Sequence, residues 1–113
     1  MDRPASVDRR RFRAYGPRHI DRIPELRHLS RDQQIALKAA STVLPFRLND
    51  YILRQLIDWD DIPNDPIYQL TFPQAGMLDR NDFIRLEDMV VRGDEGESVR
   101  RVVHDIHMRM NPN

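Results

Sequence analysis

The chain has 113 residues with 18 basic and 18 acidic side chains, so its formal net charge is zero, and 40% of its residues are apolar. That length suits one small domain with a limited core. No apolar run approaches the roughly 20 residues needed to span a bilayer, and the lack of any Cys excludes disulfides, thiolate metal sites and a cysteine nucleophile.

The charge is unevenly placed. Residues 1–31 carry nine Arg against Asp2, Asp8, Asp21 and Glu25, while the remainder carries nine basic and fourteen acidic residues. Arg9, Arg10, Arg11 and Arg13 form the pattern of a nucleic-acid arm. The acidic body behind them repels phosphate, however. Arg outnumbers Lys seventeen to one, so a cluster of Arg carries little information. Nucleic acid is therefore not an expected partner, and strong salt-dependent binding is the property that would restore it. No apolar segment follows the basic stretch, which excludes a secretory signal. Asp2 and Asp8 argue against a transit peptide, and the cytoplasm is the default location.

In chain order, residues 1–18 contain Pro4, Gly16 and Pro17 and read as a flexible or extended Arg-rich arm. Ile20, Ile23 and Leu26 predict a short turn, with Pro24 biasing Ile23 away from helix. Ser30 with Gln33 is a capping box opening the first helix, whose apolar face is Ile35, Ala36, Ala39, Ala40 and Val43, with Leu37 and Leu44 at its edges. Pro45 stops it. Asn49 caps a second helix to about Ile57, carrying Ile52, Leu53, Leu56 and Ile57. Residues 58–66 form a Pro/Asp/Asn-rich connector. The segment after it reads as a short extended piece or a single helical turn; alternation of Tyr68, Leu70 and Phe72 favours the extended piece, but the segment is too short to decide. Asp79 caps a third helix to about Val91, with Phe83, Leu86, Met89 and Val90 as its stripe and Gly93 as its stop. Val99, Val102, Val103, Ile106 and Met110 mark a fourth helix over Glu97–Met110, with acidic residues at its start and Arg109 near its end.

Few residues invite chemistry. His104 and His107, three apart, have a spacing that can share a metal, but no third ligand is evident and they read as boundary histidines. Asp58, Asp60, Asp61 and Asp65 fail as a calcium loop, because Pro63 and Gln69 stand where Gly and Glu are needed. Their expected work is capping and turn chemistry. Ser6, Ser30, Ser41 and Ser98 lack the context of a nucleophile. Lys38, the only lysine, reads as a solvated helix residue rather than a Schiff-base former. The four Gly are scattered, so there is no phosphate loop. The expectation is no catalytic, cofactor-binding or metal-binding residue in this chain.

The stretch Leu44–Gln74 stands apart. It holds the only Trp, two of three Tyr, two of four Phe and four of eight Pro, and it has no Cys, His, Gly or Ser. Such apolar anchors on rigid backbone predict a docking segment, with Trp59, Phe46, Tyr68 and Phe72 facing another surface.

Blocks within and around this stretch resemble the lysine 2,3-aminomutase family of radical S-adenosylmethionine enzymes. RHIDRIPEL (18–26) is similar to an entry segment of one branch, and LPFRLNDYILRQLIDW (44–59), IPNDPIYQLTFPQ (62–74) and ML-x-x-x-DF (77–83) follow in the same order and spacing. The resemblance covers about His19 to Pro112. It implies a mainly α fold, a small helical region of about four helices that packs beside a radical-SAM partial TIM barrel. Residues 1–18 are then the arm, 19–110 the helical region, and 111–113 the start of a linker to the barrel. Relatives continue past a segment like Met110-Asn111-Pro112, and Asn113 stands where they have His, as a premature end or frameshift produces. In such relatives the barrel holds the C-x-x-x-C-x-x-C motif for a [4Fe-4S] cluster, the S-adenosylmethionine site and the lysine for pyridoxal phosphate. None of these has a counterpart here, so this chain alone is expected to be inactive. The full-length relatives move an amino group between the α and β carbons of lysine or a similar amino acid; others act on glutamate or on a lysine of elongation factor P. Expected partners are such a barrel, of the same or another chain, or a second copy of this chain. The other expectation is a free-standing helical module that docks onto or regulates a full-length aminomutase.

Overall fold

The computed structural model describes residues 14–111. The arginines at 9, 10, 11 and 13, Ser6, and the end at Pro112 and Asn113 lie outside the described residues. The fold is mainly helical, with about four main helices, as the periodicity predicts.

The described part of the expected arm begins extended. Ala14–Tyr15 (β1) pairs antiparallel with Leu48–Asn49 (β2), in the register Ala14 to Asn49 and Tyr15 to Leu48. Tyr15 is buried, and its hydroxyl donates to Asp50 Oδ1 at 2.7 Å. Two 3-10 turns follow, Pro17–Arg22 and Pro24–His28. Each begins at a proline, whose fixed φ and missing N–H suit a helical first position. Ile23 between them is extended, as its position before Pro24 requires.

Helix α1 spans Arg31–Ser41 and starts at the capping box: Gln33 N–H donates to Ser30 Oγ at 3.1 Å, and Ser30 N–H to Gln33 Oε1 at 2.8 Å. The expected second helix is reduced to a π-helical turn over Ile52–Leu56. Its Asn49 cap is present, accepting from Ile52 N–H at 3.0 Å, and its closing bond runs from Ile57 N–H to Ile52 O.

The segment after the connector takes the helical alternative, not the extended one that its alternation favours. Pro66–Thr71 is a short helix, α2, with Pro66 in its first turn and Asp65 accepting from Tyr68 N–H at 2.9 Å. In a helix Tyr68 and Phe72 share one face, four residues apart, and Leu70 points away. That is what is seen: Tyr68 and Phe72 are buried and stacked at 4.8 Å, while Leu70 is 84% exposed. Tyr68 and Phe72 fit both periods, and the Asp-Pro start decides for the helix.

Helix α3 spans Arg80–Arg92 and α4 spans Glu97–Met110. Asp79 accepts from the N–H groups of Asn81 and Asp82, and Gly93 ends α3 in the left-handed region at φ 76°, where a Cβ is strained. None of the helices is long and apolar enough to cross a membrane, among the described residues.

The core has two parts. One gathers the N-terminal turns, β2, the π turn and α2 around Leu26, Leu53, Phe46 and Phe72. The other joins α1, α3 and α4 through Ala39, Val43, Leu86, Met89, Val102 and Ile106. Helix α1 belongs to both, sending Leu37 into the first.

Two predictions follow from this packing. Phe72 is 1% exposed, so Phe72→Ala is expected to cost about 3–5 kcal/mol by urea denaturation. Leu70→Ala, on the exposed face of the same short helix, should stay within about 0.5 kcal/mol. Burial pushes the Tyr68 phenol up to about 12, against about 10 in an unfolded chain. The folded state therefore keeps a proton that the unfolded state has released, and stability falls as pH rises through that window. The expected slope reaches about 1.4 kcal/mol per pH unit, and the difference between wild type and Tyr68→Phe, measured by urea midpoints up to about pH 11, should recover it.

Candidate functional site

The aromatic residues expected to face a partner are occupied within the chain. Phe46 lies 4.8 Å from Phe72, Trp59 makes edge-on contacts with Tyr68 at 6.0 Å and Phe72 at 6.4 Å, and Trp59 Nε1–H donates to Leu53 O at 2.7 Å. These rings form the first core, so the docking-segment expectation is corrected for them: the four aromatics anchor the fold itself. Ring pairs in these geometries add to area burial, and a partner cannot use surface that is already consumed.

A polar network closes the N-terminal side of this core. Tyr15 and Arg54 both donate to Asp50 Oδ1, and Arg54 Nε lies 3.4 Å from Glu25 Oε2. The Tyr15 hydroxyl, with the Glu25 and Asp50 carboxylates, holds the Arg54 guanidinium above its ordinary value against partial burial. Tyr15 comes from β1, Glu25 from the 24–28 turn, Arg54 from the π turn and Asp50 from just before it, so the network pins three segments together. No local pattern in the sequence pairs Tyr15 with residues 35 or more positions away.

A groove of about 760 Å³ lies on the other side of α1. Its floor is apolar, from Ile20, Val90, Val99 and Val103. Its rim carries Arg18, Lys38, Arg100, His104 and His107, and one acid, Asp21. Three residues singled out by their chemistry in the sequence thus meet on one surface. Each is accounted for separately. Lys38 Nζ lies 2.9 Å from Asp21 Oδ1 in an exposed ion pair. His107 Nε2 is 2.8 Å from Val43 O, so this nitrogen carries the proton and donates, tying the end of α4 to the end of α1. No set of three His, Asp or Glu able to hold a metal occurs among the described residues. Ser41, whose Oγ is buried with no hydrogen-bond partner among the described residues, also lines the groove. The acids of the connector do the expected local work: Asp58 accepts from Asp60 N–H and Asp65 caps α2.

A second tie fixes α4. Arg109 donates to both carboxylate oxygens of Asp82, at 3.0 and 2.8 Å, which raises the guanidinium above its ordinary value through that hydrogen bond. Comparison of the chain with family models, curated proteins and solved structures gave no match.

His107 and His104 should separate by mutation. Loss of one buried-end hydrogen bond costs about 1 kcal/mol net, so His107→Ala is expected to lower stability by about that amount in urea. His104→Ala, which breaks no such tie, should stay within about 0.5 kcal/mol.

Proposed function

We propose that this chain is the non-catalytic helical portion of a lysine 2,3-aminomutase-like radical-SAM protein, and that it works by docking against the partial barrel of that enzyme. The observation that carries this reading is the series of blocks at 44–59, 62–74 and 77–83, in the order and spacing of that family's N-terminal region. In this reading the full-length relative performs a 1,2-amino migration on lysine or a similar amino acid. The cluster, S-adenosylmethionine and pyridoxal phosphate belong to the barrel. The donor set here does not fit a cluster, since the chain has no Cys, and no step of that chemistry is assigned to its residues.

Burial of the aromatic rings moves the docking surface elsewhere. Ile84 and Val91 lie seven residues apart on the outer face of α3, 47% and 61% exposed. Side chains at that spacing stand one above the other, and they lie opposite the stripe that α3 buries through Leu86 and Met89. Scattered exposed apolar residues are ordinary, but a pair aligned on one helix face offers a strip for a partner.

The test mixes this chain with the separately expressed barrel domain of an aminomutase-family protein lacking its own helical region, and measures the mass of the product by light scattering. A one-to-one complex is expected with the wild type and none with Ile84→Glu/Val91→Glu, whose melt should match wild type. Absence of a complex, or a complex indifferent to the double substitution, would contradict the proposal.

A further inference from the structure

The groove beside α1 carries an inference independent of any barrel. Its volume, about 760 Å³, lies in the range of small-molecule sites, which combine an apolar lining with a few polar groups. The floor of Ile20 and three valines supplies the first element. The rim supplies the second, and its charge runs against that of the body. Residues 32–113 have five more acidic than basic side chains, yet the groove sets Arg18, Lys38 and Arg100 against Asp21 alone. The partners of Lys38 and Arg100 do not lock them. The pairs Lys38–Asp21 and Arg100–Glu97 are both exposed, at 2.9 and 3.3 Å, and such pairs exchange readily with a competing anion.

We propose that this groove binds a small amphipathic carboxylate, its apolar chain on Ile20, Val90, Val99 and Val103 and its head among Arg18, Lys38 and Arg100. A single negative charge fits better than a doubly charged phosphate, because Asp21 sits in the same rim.

Octanoate is the probe, titrated into the isotope-labelled chain with backbone amide shifts as readout, beside acetate and octylammonium. Octanoate is expected to give saturable shifts at Lys38, Ser41, Val99 and Val103, with acetate at least tenfold weaker. Arg100→Glu should lower octanoate affinity at least tenfold, while Arg85→Glu, exposed on α3 outside the groove, leaves it unchanged. Shifts that do not saturate, equal binding of octylammonium, or equal losses in the two variants would overturn the proposal.

Discussion

The structure depends on one helix being buried along two opposite sides. At 100° per residue, Leu37 and the pair Ala39 and Val43 point away from each other around α1. Leu37 enters the core built from the N-terminal turns and the aromatic segment, and Ala39 and Val43 enter the core shared with α3 and α4. Neither core is large. A chain of 113 residues buries a modest share of its surface, and splitting that burial in two leaves each half dependent on their common wall. Ala39 and Ala40 are both fully buried, and their small side chains let α1 lie close against its neighbours. Larger ones overpack the contact, which costs stability even when the added atoms are apolar. The His107 bond to Val43 O and the Asp82–Arg109 pair then hold α4 at the ends of this assembly.

Where local chemistry decides, the sequence is readable. The Ser30–Gln33 box, the Asp79 cap, the Gly93 stop and the bounds of α4 all lie within a few residues of the groups they satisfy. Where distant residues decide, it is not. The apolar face read for α1 has Leu37 at its edge, whereas Leu37 enters a second core, because periodicity assumes a single one. The β1–β2 pairing joins residues more than 30 apart through two-residue strands, too short to show alternation. The start of α2 was written in Asp65 and Pro66, a cap followed by a proline suited to the first turn. The alternation of Tyr68, Leu70 and Phe72 competes with that signal, and a short apolar triplet cannot distinguish a pleat from one helical face. The groove is legible only as separate parts: Lys38 and the two histidines stand out in the sequence, whereas Arg18 and Ser41 join them only through the packing of four segments.

The segment Leu44–Gln74 changes meaning most. Its rings predict an external surface when read as free side chains, but they satisfy one another, with Trp59 Nε1–H bonded to Leu53 O. The proposed docking strip lies on the outer face of α3 instead, outside Leu44–Gln74. The segment thus does a structural job, and the proposed docking falls to a helix face whose own residues are less distinctive. This separation is physically reasonable, since large aromatic side chains stabilise a small core most effectively when buried.

The central claim is that α1 makes the two cores one cooperative unit. Native-state hydrogen exchange of the backbone amides tests it directly, followed as a function of low denaturant concentration. The slowest amides of α1, of α3 and α4, and of the π turn around Leu53 are expected to converge on one opening free energy with one denaturant dependence. If α3 and α4 instead open together at a distinctly lower free energy while α1 and the aromatic core stay protected, the cores are separate and α1 is not the element on which both depend.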